Sequence, residues 1–377
     1  MKVLTVAHNA VAASNRARSE ALREQGVEVT LLTPRWWFEE GQRLAARTGV
    51  DQAWWRTGRT LFTGNGTRHA YLSGLIQAMR QARPDVIDLY EEPFSLVALQ
   101  TLLLRDRLAP HAALIFYSAV NVERQWRWPY RAIERLVLRR ADGAHAPNGD
   151  VPPILRARGF APNKPVAIIP LGVEPERFDA AEAMLLGGVG RPRVGFVGRF
   201  EPVKGLDILL SAFGHLRTPA QLVLVGDGSL REALRGRADV HVLPPVAFEQ
   251  VPSLLKAFDV LVLPSVTILP NHREQFGRVL VEAMAAGVPV IGSSSGAIPE
   301  VIGDAGLVVP ERDPIALARA IDSVLNVPEL RARLIGRGRQ RVASRFAWSN
   351  IALQTLALFD AAVARRGEMP SLEVVRA

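Results

Sequence analysis

The stretch HREQFGRVLVEAMAAGVPVI, residues 272–291, changes its periodicity twice within twenty positions. From 278 to 286 apolar residues recur at three- and four-residue spacing, the pattern of a helix that buries one face. Gly287 follows as a left-handed stop, and Val288-Pro-Val-Ile291 reads as the start of a short buried strand. A helix that delivers the chain straight into such a strand is half of a βαβ unit, and parallel strands need such crossovers. The same alternation extends outward on both sides. Strands are expected at 193–198, 221–226, 239–243, 259–264, 288–292 and 306–310. Helical patterns fill the gaps at 206–216, 230–237, 251–258, 278–286 and 315–325. Right-handed crossovers then give a doubly wound α/β domain that binds ligands outside the carboxyl ends of its strands.

The first half repeats the scheme, with strands expected at 2–7, 27–33, 85–90, 112–118, 143–147 and 166–170. Residues 36–66 hold four of the seven tryptophans and show no periodicity that fixes an edge. At 377 residues the chain exceeds what one core usually supports. Pro170, Gly172 and Pro175 break the connection at 171–179, which sets a first domain at 1–172 and a second at 173–347. A helical pattern over 348–366 follows, and the tail 367–377 is expected to be poorly ordered.

Composition excludes several classes. There is no cysteine, hence no disulfide, thiolate metal site or cysteine nucleophile. No run reaches the ~18 apolar residues of a membrane span. His8 and Asn9 interrupt the N-terminal apolar run too early for a signal peptide, so residues 2–7 read as a strand and the protein as cytoplasmic. The net charge of +9 points to phosphates or an anionic surface, and only four of the 46 basic residues are lysine.

Chemistry concentrates after the strands of the second half. Gly198 ends the first of them, and Arg199 and Lys204 follow just ahead of a helix start, a combination suited to a diphosphate leaving group. Glu274 stands before the helix at 278–286 and Glu282 inside it. Eight helical residues span roughly 12 Å, the reach from a nucleotide's ribose to a sugar on its far phosphate. Carboxylates are natural acceptors for the vicinal hydroxyls at both ends. Local explanations stand beside this one: an ion pair of Glu282 with Arg278 four residues before it, and a helix-terminal preference for Glu274. The loops Gly226-Asp-Gly228 and Ser293-Ser-Ser-Gly296 add glycine and hydroxyl groups after two further strands.

With these residues together, the chain resembles a GT-B glycosyltransferase of the large retaining family four. The resemblance rests on Gly198-Arg199 with Lys204-Gly205, on Val225-Gly226-Asp227-Gly228, on Pro264-Ser265, on the E-x7-E pair Glu274 and Glu282, and on Gly296 with Pro299-Glu300. It implies two Rossmann-like doubly wound domains facing a cleft, with the last helix crossing back to the first domain. It further implies that Arg199 and Lys204 hold the donor diphosphate, Glu282 the ribose and Glu274 the transferred sugar. Backbone amides of Phe276, Gly277, Arg278 and Val279 would contact phosphates and sugar, and the base would lie near Val246. The donor it implies is a nucleotide-diphosphate sugar, and the acceptor a glycan, a lipid-linked acceptor or a small molecule. The resemblance implies no metal or other cofactor, and the sequence agrees, with neither Asp-x-Asp nor a His/Asp cluster of ligand spacing.

The acceptor half follows the family less closely. Glu92-Pro93 resembles a His-Glu-Pro loop, with Glu91 in the lead-in, and Asn121-Val-Glu123 resembles a His-Asn-Val-Glu stretch in which Val120 takes the histidine position. His8, Glu92 and Asn121 are the acceptor-side candidates. Arg124, Arg127, Arg131, Arg135 and Arg139 recur every three or four residues beside Trp126 and Trp128. Such a face, from Arg124 to Arg140, suits an anionic membrane surface and a peripheral place at its inner face. No nucleic-acid motif occurs, so nucleic acid is not an expected partner. The alternatives are a non-catalytic nucleotide-sugar binder and a nucleotide-sugar epimerase of the same fold.

Overall fold

The computed structural model describes residues 1–39, 42–46, 53–234 and 239–367. The chain divides into two compact units, one of Met1–Pro147, Val151–Ile169 and Ile351–Ala377, the other of Asn148–Asp150 and Pro170–Asn350. The division falls within a few residues of the Pro/Gly-broken connection that separates the halves in sequence.

The second unit is built on a six-stranded sheet. Its strands, numbered after the seven of the first unit, are β8 (Arg193–Val197), β9 (Gln221–Val225), β10 (Val240–Leu243), β11 (Val260–Leu263), β12 (Val290–Ser293) and β13 (Gly306–Val309). They lie in the order β10-β9-β8-β11-β12-β13, all parallel. β8, β9, β11 and β12 are apolar almost without alternation because helices cover both faces of the sheet. Leu222, Leu224, Val260 and Leu261 are fully buried, and Gly195 of β8 lies flat under the ring of Phe258, where a Cβ would collide with it. The helix expected at 230–237 is a single tight turn, Glu232–Leu234, and residues 235–238 lie outside those described.

The first unit's sheet has seven strands: β1 (Lys2–Val6), β2 (Glu28–Pro34), β3 (Trp55–Gly58), β4 (Val86–Leu89), β5 (Ala113–Tyr117), β6 (Gly143–Ala146) and β7 (Val166–Ile168). Their order, β7-β6-β5-β4-β1-β2-β3, is again parallel throughout. It reproduces the second unit's order with one strand added at the β7 edge. β3 falls in the stretch left unassigned from sequence, together with the pair Trp36–Glu39 and Gln42–Ala45, while a second short pair, Thr60–Leu61 with Ala70–Tyr71, runs past its end. Strands of two to four residues are too short to display a period.

The helix Trp348–Gly367 belongs to the second unit at its first residues and to the first unit from Ile351 onward. Trp348 lies over Gly172, and its N–H donates to the Val173 carbonyl at 3.3 Å. At the other end Arg366 places Nη1 3.0 Å from both oxygens of the buried Asp142, which also pairs with Arg105. Of the tail at 367–377, residues 368–377 lie outside those described.

Candidate functional site

In the second unit the strand order reverses between β8 and β11, so the connections leave in opposite directions and their carboxyl ends open a crevice. Gly198 and Arg199 follow β8, and Pro264 and Ser265 follow β11. The loops here approach one another closer than side chains would allow. Gly226 has φ +151°, and a Cβ on it would collide with the Gly198 carbonyl oxygen. The Phe200 N–H donates to the Asp227 carbonyl at 2.8 Å, which fastens the loop after β8 to the loop after β9.

Lys204 ends a short turn, Pro202–Lys204, and Gly205 carries the chain with φ +65° into the helix Leu206–Phe213. A Cβ on Gly205 would strike the Pro264 carbonyl, so the glycine lets the lysine turn lie against the end of β11. Lys204 Nζ donates to Glu274 Oε2 at 2.6 Å, and Ser265 Oγ donates to the same oxygen at 2.7 Å. Glu274 is buried. Burial raises its carboxyl pKa, but the Lys204 ammonium and the two hydrogen bonds outweigh it, and the group is held below its ordinary value as a carboxylate. The Glu274 carbonyl accepts the Ala297 N–H at 3.0 Å, which draws in the loop after β12. Three strand ends, those of β8, β11 and β12, thereby converge on one lysine–glutamate pair.

The other expected donor residues surround this pair in sequence and fold. Arg199 is exposed and makes no hydrogen bond or ion pair among the described residues. Phe276 is buried with its ring edge-on to Phe346, centroids 6.0 Å apart. Gly277 caps the helix Arg278–Ala285, which carries Val279, half-buried, and Glu282, half-buried in its second turn. Burial pushes the Glu282 carboxyl up, against the lowering effect of Arg278 and Arg177. Val246 is half-buried in the loop after β10. Arg177 was invisible as a site residue because it lies in the connection between the halves. Its guanidinium sits 3.8 Å from the Phe248 ring centroid and donates to the Phe248 carbonyl at 3.2 Å. Ser265 as the partner of Glu274 was equally unforeseen, though its Pro-Ser motif was legible.

The first unit's order reverses between β1 and β4. His8 follows β1, and its partner is Glu91, which was not among the acceptor-side candidates. His8 N–H donates to Glu91 Oε1 at 2.8 Å, and His8 Nδ1 lies 2.6 Å from Oε2. Burial raises the Glu91 carboxyl pKa, but His8 and His69 together bring it down to about 2. His69, from the loop before Ala70, is fully buried with Nε2 3.5 Å from Glu91 Oε1. Glu92 turns to other partners: Ser118 Oγ and the Ala119 N–H each donate to it at 2.8 Å. Burial raises its carboxyl to about 7 despite those bonds. These bonds join the Glu92 loop to the loop that carries Asn121, which is buried.

The arginines at 124, 127, 131, 135 and 139 are all exposed, on and just before the helix Tyr130–Arg140, and Trp128 is 84% exposed. No helix among the described residues is long and apolar enough to cross a membrane.

Comparison with known proteins follows the same two-part division. Residues 186–341 match the family described as "Glycosyl transferases group 1", and residues 11–177 match "Glycosyltransferase Family 4". The D-inositol 3-phosphate glycosyltransferase of Streptomyces avermitilis is 34% identical over 228 residues, 52% of this chain and 47% of that protein. The enzyme of the same name from Geodermatophilus obscurus is 31% identical over 321 residues, 78% of this chain and 65% of that protein. The chain therefore spans about half to two thirds of the length of these relatives. Among solved structures, Anabaena HepE in complex with UDP is 18% identical with a TM-score of 0.71, covering 96% of this chain and 100% of that one. The chain has the fold of the GT-B glycosyltransferases, and each of its two units carries a glycosyltransferase family domain.

Proposed function

We propose that this chain is a retaining hexosyltransferase that moves a sugar from a nucleotide diphosphate to a hydroxyl of a glycan, a glycolipid or a small molecule. The observation that carries the reading is the Lys204–Glu274–Ser265 cluster at the second unit's switch point. A buried carboxylate kept ionised beside a lysine, where three strand ends meet, offers an acceptor for sugar hydroxyls and a cation for phosphate. Arg199 supplies a second cation, so the diphosphate's charge is met by side chains rather than by a divalent ion. Glu282 takes the ribose. Phe276, Gly277, Arg278 and Val279 line the helix start near the phosphates, and Val246 lies at the base.

In the proposed transfer the bond from the anomeric carbon to the diphosphate oxygen breaks, and the electron pair leaves with the diphosphate. The acceptor oxygen bonds to the same face of that carbon, and its proton passes to the departing diphosphate. The protein's work is to position both substrates and to stabilise the developing charge. His8, Glu92 and Asn121 stand on the acceptor side, in the unit that also carries the exposed arginine stripe. That stripe suits a peripheral place on an anionic membrane and a lipid-linked acceptor in cell-surface polysaccharide or glycolipid synthesis.

The test is thermal unfolding against UDP, GDP, ADP, dTDP and CDP, alone and as sugar conjugates. A ligand that binds only the folded state raises the midpoint with the logarithm of its saturation. One nucleotide is expected to raise it clearly, and Glu282→Ala to abolish the rise. No shift with any of them at millimolar concentration would overturn the donor reading.

A further inference from the structure

The first unit carries an arrangement that the donor chemistry leaves unused. His8 and Glu91 stand after β1 and β4, where that unit's strand order reverses and a ligand site is favoured, and His69 joins them from a separate loop. One nitrogen from each histidine and a Glu91 carboxylate oxygen lie within 4.8 Å of one another.

In a tetrahedral site with metal–ligand bonds of about 2.0–2.1 Å, neighbouring ligand atoms stand about 3.4 Å apart. Glu91 Oε1 and His69 Nε2, 3.5 Å apart, already hold such an edge. His8 Nδ1 is held 2.6 Å from the other carboxylate oxygen, Oε2, and must leave that hydrogen bond to face a cation on Oε1. The His8 ring, 25% exposed, has room to do so and gives a path from solvent.

A second observation concerns His69. Its Nε2 is buried and forms no hydrogen bond, with Glu91 Oε1 3.5 Å away. Its Nδ1 lies 3.2 Å from the Asn65 carbonyl, an acceptor that keeps a proton on Nδ1 and leaves Nε2 as the nitrogen a cation would take. Nε2 and the carboxylate oxygen face each other in a buried site beside Trp37, whose ring is 4.9 Å from that of His69. A cation between them, taking the place of the Nε2 proton, would replace that long contact with two bonds.

We propose that His8, His69 and Glu91 form a binding site for a divalent transition cation, of which Zn2+ fits two imidazoles and one carboxylate well. Three protein ligands leave a fourth position for water or a hydroxyl oxygen. The three ligands lie 61 and 22 residues apart along the chain, so no local spacing rule finds them. The proposal rests on the first unit alone and stands or falls independently of the nucleotide site.

The experiment titrates the full chain, stripped with chelator, with Co2+ followed by visible absorption, and then with Zn2+ in competition. One Co2+ per chain is expected, with the intense d–d bands of a four-coordinate site, displaced by Zn2+. His8→Ala, His69→Gln and Glu91→Gln are each expected to weaken binding by at least about tenfold. His8 is partly exposed, so H8A keeps the fold, checked by far-UV circular dichroism, and decides the matter if the buried variants misfold. A weak six-coordinate spectrum, affinity unchanged in H8A, or no binding with His69 doubly protonated by 15N NMR would each overturn the proposal.

Discussion

Lys204 and Glu274 are mostly buried, with side chains 15% and 8% exposed, and the Lys204 ammonium and the Ser265 hydroxyl donate to the same carboxylate oxygen. Removing one partner of such a pair leaves a desolvated charge, which costs more than the pair itself contributes. Lys204→Ala is therefore expected to destabilise the protein by about 3 kcal/mol. Adding Glu274→Gln should recover more than half of that loss, because the amide carries no charge to strand. The folded-state pKa of Glu274 lies below its ordinary value, so its stabilisation is present above that ordinary value and is lost as pH falls through the lowered one. In the wild type the acid limb of stability should include this loss, and in the double variant it should not. Denaturant unfolding of the four proteins, at neutral pH and near pH 4, measures both effects. A double variant no more stable than Lys204→Ala would show that the pair is not what holds these loops together. In the donor reading the same ion pair must open when a nucleotide-sugar arrives, with the ammonium passing to phosphate and the carboxylate to sugar hydroxyls.

At the scale of elements, the donor loops were legible because each is local: a strand, a glycine and a charged or hydroxyl residue within a few positions. The six strands of the second sheet were placed within two residues by their continuous apolar runs. What escaped depends on partners distant in sequence. β3 and the two hairpins are too short to show a period, and β3 takes its register from β2, as in the pairing of Leu31 with Trp55. The choice of Glu91 over Glu92 as the partner of His8 is likewise set by which of two adjacent side chains faces the β1 end. Glu92 instead ties the loop after β4 to the loop after β5 through Ser118 and Ala119. Its carboxyl is pushed up to about 7 from an ordinary value of 4.5. The unfolded chain then ionises first, so this group makes stability fall as pH rises from about 4.5 to about 7, after which it levels. Glu92→Gln keeps an oxygen for the Ala119 N–H and removes the charge. The variant should gain on the wild type between pH 5 and pH 8, read as a midpoint difference that grows with pH. An equal difference at both pH values would mean that Glu92 does not titrate in this range.

Over the whole molecule, two units repeat one strand order, and in each the chemistry gathers where that order reverses. The charge is not distributed so evenly. Of a net +9, five arginines lie on or beside one helix of the first unit, all exposed, with Trp128 standing out beside them. Its opposite face is anchored by the buried Ile133, Val137 and Leu138, so the basic face is fixed outward. A solvated stripe of this kind needs no partner, and arginine is favoured along the entire chain. The two explanations diverge in what lipid charge does. Near an anionic bilayer each arginine contributes about 1 kcal/mol, falling off within a Debye length. An amphipathic aromatic such as Trp128 adds an interfacial anchor that salt does not screen. Flotation with vesicles containing anionic lipid should therefore carry the protein upward at low salt and less so at high salt, while neutral vesicles leave it behind. The triple change Arg131→Glu, Arg135→Glu, Arg139→Glu should lower the partition by more than about a hundredfold. Trp128→Ala should weaken it while leaving the salt dependence in place. Equal flotation with neutral and anionic vesicles, or none with either, would leave the stripe as a solvated helix face and remove the membrane from the acceptor's description.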